Sequence, residues 1–334
     1  MEGTPRGIAA NIVQRPVLGK RWGAEGPERS PMPELPDVTV YREALERRIR
    51  GQLLCGVRIA KPFVLRSVEP GIDAIAGRTV TGVERLGKRI VLMLTDDHFL
   101  VVHLMIAGRL RWRPPDSPIP KGRGLAAFDF RAGTVLFTEE GKKRRASLHV
   151  LHGRAALRAL DPGGLDALKV DLATFAARLA RSNHTLKRAL TDPRIFDGIG
   201  NAYSDEILHA ARLSPLALTE RLNEAEVTRL YAATRMVLTD WTARLRAEVG
   251  DGFPEKVTAF RDGMAVHGRY RQPCPVCESP IQRIRYAENE VNYCAMCQTD
   301  GRVLADRAFS RLLRQDWPRS LDDWSERLGG GPAA

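Results

Sequence analysis

Cys274-Pro275-Val276-Cys277, followed after sixteen residues by Cys294-Ala295-Met296-Cys297, is the stretch around which the rest of the chain can be ordered. Two Cys-x2-Cys knuckles at this separation close a tetrahedral zinc site on a small β-hairpin. Two disulfides or singly buried thiols are the alternatives. Cys55 is the one remaining cysteine and residues 1–31 hold no apolar secretory stretch, which points to a reducing compartment and to zinc. Four thiolates leave no open coordination position, so the ion would be structural and would not activate water. Arg269, Arg271, Arg283 and Arg285 flank the knuckles, either as a DNA-contacting face or as a solvated basic one. Cys55 itself reads as a small core residue.

Upstream of the knuckles the pattern is helical. Val227, Leu230, Tyr231, Thr234, Val237, Leu238, Trp241 and Leu245 form the buried stripe of a helix between Asn223 and Glu248, with Asn223 and Glu226 as its capping pair. Before Leu160-Asp161-Pro162-Gly163-Gly164 the period changes to β: Gly56–Lys61, Thr79–Arg85, Arg89–Thr95, His98–Met105, Leu125–Arg131 and Thr134–Thr138 suggest a β-sandwich or flattened barrel. Val38, Tyr41, Leu45 and Ile49 predict a helix over Asp37–Arg50 ahead of the strands. The expected fold class is multidomain α+β: a β-sandwich with a leading helix over 32–150, a helical domain over 151–265 and a finger over 266–300. Residues 1–31 read as an unstructured extension or a mis-assigned start, and 301–334 as a tail with a helix near Arg307–Arg314.

With 334 residues, more than one module is expected. Lys and Arg outnumber Asp and Glu by 52 to 40, a net +12 that favours a polyanionic partner. The most apolar run, Phe99–Ile106, is too short to span a membrane and contains His103.

Met32-Pro33-Glu34-Leu35-Pro36-Asp37-Val38 closely resembles the amino terminus of the formamidopyrimidine-DNA glycosylase and endonuclease VIII family. Lys88 before a β-run, His103-Leu104, and Ile199-Gly200-Asn201-Ala202-Tyr203-Ser204-Asp205-Glu206, which resembles the family's helix-two-turn-helix signature, follow in family order up to the cysteines. The resemblance implies a base-excision-repair DNA glycosylase with abasic-site lyase activity, acting on damaged double-stranded DNA as an intracellular, cytoplasmic or nucleoid-associated monomer with one structural Zn²⁺. It implies Pro33 as an amine nucleophile, Glu34 as general acid/base and Lys88 as the lysine beside the lesion. Lys187 and Asn201 match phosphate-contacting positions, and Arg144 or Arg145 would meet phosphate or the orphan base. Tyr203 reads equally well as core.

The chemistry suits those residue types. An α-amine of pKa about 7.7–8.0 is roughly a quarter neutral at pH 7.4, against about 0.1% for lysine. The positive end of the following helix further disfavours protonation. An iminium at the sugar C1′ acidifies the C2′ protons and permits elimination of the flanking phosphates. An amide nitrogen forms no iminium, so this reading requires translation from Met32 with its removal, or cleavage of the extension.

Several family features differ. Ile106 in Met105-Ile106-Ala107-Gly108 replaces the void-filling methionine, and Glu140-Gly141-Lys142-Lys143-Arg144-Arg145-Ala146-Ser147 lacks the wedge phenylalanine. Lys121-Gly122-Arg123-Gly124 stands where relatives have Lys-His-Asp-His, Asn289 takes the place of the finger arginine, and the Gly250–Val266 loop is short. An abasic-site lyase with little base excision, and a non-catalytic binder of damaged DNA, are therefore the other two readings.

Overall fold

The computed structural model describes residues 32–140, 144–255, 261–286, 289–305 and 320–321, with nothing stated for the side chains of 286 and 289. The expected 1–31 extension, the Arg307–Arg314 helix and the tail beyond it lie outside the described residues, as do 141–143 and 256–260.

Helix α1 (Leu35–Ile49) opens the described chain, followed by β1 (Leu54–Ile59), β2 (Val80–Leu86), β3 (Arg89–Leu94), β4 (His98–His103), β5 (Gly108–Arg113), β6 (Gly124–Phe130), β7 (Gly133–Glu139) and β8 (Ser147–His152). These strands form two four-stranded antiparallel sheets, ordered β1-β6-β7-β5 and β2-β3-β4-β8. Inward residues of both sheets, among them Val83, Leu92, Leu100, Phe128 and Phe137, share one core with Val38, Tyr41, Leu45 and Ile49 of α1. The leading helix thus closes the sandwich with the apolar stripe its sequence displays.

Two strands, β5 and β8, go beyond the six expected. Arg109, Arg111 and Arg113 alternate with Leu110 and Trp112 in β5, and His149 and His152 interrupt β8, so both lack the apolar richness that marks the other strands. Cys55 corrects an expectation: it is exposed, because the β1–β6 register shifts between Leu54 and Gly56 and the bulged residue faces outward.

The helical module contains α2 (Arg154–Ala159), α3 (Leu172–Leu179), α4 (Leu186–Thr191), α5 (Asn201–Ala210) and α6 (Glu224–Val249). Asn223 and Glu226 cap α6 reciprocally, Asn223 Oδ1 accepting from Glu226 N at 2.9 Å and Glu226 Oε2 from Asn223 N at 3.0 Å. Leu230, Leu238 and Trp241 of α6 pack with Phe175, Phe196, Ile207 and Leu35, so the first turn of α1 also belongs to the helical core. Hairpin β9 (Ile281–Tyr286) and β10 (Asn289–Cys294) with helix α7 (Ala295–Thr299) completes the described fold, β10 lying against α5.

Candidate active site

Where the sandwich meets the helical module, the start of α1 abuts the start of α5. Glu34 is the N-cap residue of α1 and is 2% exposed. Its carboxylate caps α5: Oε2 accepts from Gly200 N at 2.6 Å and Tyr203 N at 3.2 Å, and Oε1 from Ala202 N at 2.8 Å. Leu35 N donates to Gly198 O at 2.9 Å, which locks the two segments side by side. Pro33, also buried, directly precedes this carboxylate.

Lys88 occupies the β2–β3 turn and reaches the same point from the sandwich. A Cβ built on Gly200 would stand 2.6 Å from Lys88 Nζ, 2.6 Å from Glu34 Oε1 and 2.4 Å from Glu34 Cδ. Only a glycine leaves room for both charged groups. Gly198, at φ +80°, is likewise crowded by Leu35 Cβ at 2.8 Å. Burial raises the Glu34 carboxyl above its usual range, against the pull of the Lys88 charge and the Ala202 amide. Burial also holds Lys88 below the ordinary lysine value, against Glu34 and Asp197. Burial thus moves a carboxyl and an amine toward each other in pKa.

Arg85 staples the turn that carries Lys88, with Nη1 2.6 Å from Asp197 Oδ2 and Nη2 2.6 Å from Asp166 Oδ2. His103 ends β4 opposite Arg89. Burial and the charges of Arg89 and Lys88 push its pKa down to about 4, so it is neutral at physiological pH.

The remaining sequence candidates are spread around this centre. Asn201 begins α5 and its Nδ2 donates to Glu290 O at 2.9 Å. Lys187 lies beneath it, 8% exposed, with Nζ donating to Asn201 O at 2.6 Å and to Asp205 Oδ1 at 2.5 Å. Asp205 is fully buried and also accepts from His267 Nδ1 at 2.8 Å and Asn292 N at 3.1 Å. Removing one member of a buried pair strands the other. Lys187→Ala should therefore lower unfolding stability by about 3 kcal/mol or more, read by urea denaturation, whatever it does to DNA affinity. Arg144 and Arg145 are exposed beyond β7; Arg144 Nη2 donates to Gly122 O at 2.9 Å and Arg145 N to Glu139 Oε1 at 2.9 Å. Tyr203 is 1% exposed and packs edge-on to Trp241, 6.0 Å between centroids.

Cys274, Cys277, Cys294 and Cys297 converge, their Sγ atoms all within 4.8 Å of one another. The separations of 3.8 Å for Cys274–Cys297, 3.3 Å for Cys277–Cys294 and 3.5 Å for Cys277–Cys297 exceed a disulfide bond of about 2.05 Å. They approach the edge of about 3.8 Å in a tetrahedron with metal–sulfur bonds of about 2.3 Å. His209 of α5 places Nε2 3.3 Å from Cys274 Sγ, while Glu206 accepts from Ala265, Val266 and His267 amides at 2.7 to 2.9 Å. One helix thus touches the site at its N-terminus, the finger's approach in its middle and a knuckle thiol near its end.

Sequence reasoning missed Gly200, Asp37 and the arginine paired with it. The spacing Gly198-x-Gly200 and the pair Glu34-x-x-Asp37, in which Glu34 N donates to Asp37 Oδ2 at 3.0 Å, are the signals that could have found the first two.

A β-sandwich closed by an N-terminal helix, joined to a helix-two-turn-helix module and a four-cysteine finger, defines a class of DNA-processing proteins. The profile of the formamidopyrimidine-DNA glycosylase N-terminal domain matches residues 32–146, and that of the formamidopyrimidine-DNA glycosylase H2TH domain matches 161–245. The chain is 32% identical to the formamidopyrimidine-DNA glycosylase of Moorella thermoacetica over 76% of its length and 95% of the relative's. It is 30% identical to that of Enterococcus faecalis over 80% and 97%. A shorter Mycobacterium tuberculosis protein, described as an uncharacterized formamidopyrimidine-DNA glycosylase-like protein, is 43% identical over 47% of this chain and 96% of its own. Among solved structures, a Lactococcus lactis Fpg variant bound to Fapy-dG-containing DNA matches with a TM-score of 0.70 at 25% identity, covering 80% of this chain and all of that one. The chain belongs to the formamidopyrimidine-DNA glycosylase family, the bifunctional DNA glycosylases of base excision repair. No helix among the described residues is long and apolar enough to cross a membrane.

Proposed function

We propose that this protein removes damaged bases from duplex DNA and cleaves the resulting abasic strand through the amine of Pro33. The observation that carries this reading is Glu34, buried beside Pro33 and held on the first amides of the helix-two-turn-helix helix, with Lys88 over the same glycine. The neutral Pro33 nitrogen adds to C1′ as the C1′–N bond to the base breaks, and the departing base takes a proton. The nitrogen gives up its proton, its lone pair opens the C1′–O4′ bond to form the iminium, and Glu34 in its protonated form donates its proton to O4′. Glu34 then accepts the C2′ proton, and the electron pair expels the 3′ phosphate. Lys88 supplies a donor toward the opened sugar or the adjoining phosphate. The target nucleotide must leave the stack first, and the exposed Arg144 and Arg145, with the half-buried Asn201 at the start of α5, are suited to gripping the distorted backbone. Lys187 supports the Asn201 end of α5 from beneath.

Borohydride reduction on duplexes containing an abasic site, 8-oxoguanine or an oxidised pyrimidine tests this. Covalent adducts on a base-containing duplex are expected. An adduct with the abasic duplex alone would reduce the function to a lyase, a reading favoured by Ile106, 37% exposed at the β4–β5 turn where the family's void-filling methionine is replaced.

The four thiolates fit zinc, which supplies no step of the reaction and ties β9–β10 to the helical module. Cys277→Ser should lower bound zinc well below one ion per chain and weaken duplex binding about tenfold or more, since the finger's fold depends on the metal. Metal content by atomic absorption and binding by fluorescence anisotropy check it. Full zinc loading in the variant would remove the four-thiolate assignment.

A further inference from the structure

Behind Glu34 lies a second buried carboxylate that the reaction scheme does not use. Asp37 is 4% exposed; its Oδ2 receives the Glu34 backbone N–H at 3.0 Å, one residue from the Pro33 nitrogen. Its Oδ1 receives Arg261 Nη2 at 2.9 Å, from a segment 224 residues away. Arg261 is itself 9% exposed on its side chain, braces Nη1 against Glu248 Oε2 of α6 at 3.1 Å, and has a buried Nε with no partner. Glu34 and Lys88 already balance each other in this pocket, so Asp37 would leave an uncompensated negative charge beside the amine. Arg261 removes that imbalance.

We infer that Arg261 is a positioning residue for the Pro33 and Glu34 chemistry, acting through Asp37 by holding its carboxylate on the Glu34 amide and cancelling its charge. The inference rests on the function proposed above. Burial raises the Asp37 carboxyl and the Arg261 charge opposes that rise; wherever Asp37 stays ionised without the guanidinium, its unpaired charge favours the protonated amine, and the neutral fraction that attacks C1′ falls. A rise of one unit in the amine pKa lowers that fraction about tenfold well below the pKa and leaves it little changed well above. The groups facing Asp37 are Arg261, Arg109, Tyr41, Tyr203 and Glu34; those facing Glu34 are Lys88, His267, Tyr203 and Asp37. Arg109 is turned to the carbonyls of Gly108 and Ile106 and does not replace Arg261.

The experiment is the rate of borohydride-trapped adduct on an abasic duplex across pH 6–9, for protein beginning at Pro33. Arg261→Gln should be about tenfold slower than wild type at pH 6.5, with the deficit closing toward pH 9, and its duplex affinity and zinc content should stay within about twofold. Arg261→Lys should retain most of the rate. In an Asp37→Asn background Arg261 has no carboxylate to hold, so the part of the Arg261→Gln deficit that runs through Asp37 should vanish, and the double-mutant cycle measures that part; the pH dependence of the deficit is the readout that a merely structural role would not move. Should Arg261→Gln fail to fold, Arg261→Lys and the Asp37→Asn pair carry the comparison. Wild-type rates in Arg261→Gln, or a deficit independent of pH and of Asp37, overturn the inference while leaving the function intact. No adduct with the wild type overturns both.

Discussion

Protein that begins at Pro33 is expected to become covalently trapped on abasic DNA by borohydride, and the same polypeptide still carrying Met32 is not. The difference is electronic. With Met32 attached, the Pro33 nitrogen is an amide whose lone pair is delocalised into the carbonyl, so it can neither add to C1′ nor form an iminium. Once free, it is a secondary amine lying just ahead of α1, and the positive end of that helix disfavours a positive charge there. The rival nucleophile is Lys88, which burial holds below the ordinary lysine pKa and which stands over Gly200 with Glu34. Two variants separate them. Pro33→Gly keeps a terminal amine and should still trap, though more slowly because a primary amine on a flexible glycine is less well oriented. Lys88→Met should also trap, losing rate and not the adduct. Peptide mass mapping of the reduced complex reads the outcome directly. An adduct that persists with Met32 attached and disappears in Lys88→Met would transfer the nucleophile to the β2–β3 turn, and the role of Pro33 would end there.

What the sequence displays and what it conceals divide along contact distance. The knuckle spacing, the α1 stripe and the Asn223–Glu226 cap are local patterns, each legible because helix period, cap and metal ligation act over a few residues. Strands β5 and β8 lack the apolar richness of the other six: β5 shows a period of two, but between arginines and only Leu110 and Trp112, and histidines interrupt Ser147–His152. Glu34 could be picked out by its place beside Pro33, yet its partners lie 166 to 169 residues away and leave no trace near it. Arg261 is more remote still, and nothing in its flanking residues announces that it closes an ion pair under α1. Lys187 shows the same limit from the other side. Its position suggests a surface phosphate contact, whereas its ammonium is engaged inside the protein by Asp205.

Gly200→Ala is the substitution from which the largest loss of activity for the smallest loss of stability is expected. Gly200 has φ −131° and ψ −157°, an extended conformation open to alanine, so its backbone imposes no need for glycine. The demand comes from what faces it: an added methyl would lie 2.4 Å from Glu34 Cδ and 2.6 Å from Lys88 Nζ. Both are ends of flexible side chains. They can move aside, so the fold should lose about 1–3 kcal/mol, most of it from amides of α5 deprived of their acceptor. The same movement takes the carboxylate off the Gly200, Ala202 and Tyr203 amides and separates it from the lysine, undoing the arrangement that holds a proton-transfer group next to Pro33. General acid–base contributions are worth about 100-fold to 10,000-fold, and a fall of about 100-fold or more in strand cleavage is the expected result. Duplex affinity should fall far less than cleavage, because Arg144 and Arg145, proposed above to grip the backbone, are untouched. Single-turnover cleavage, thermal unfolding and anisotropy measured on one preparation separate these effects. If Gly200→Ala cleaves within about threefold of wild type, the carboxylate does not act from the place it occupies over α5, because no rearrangement that admits the methyl leaves Glu34 there.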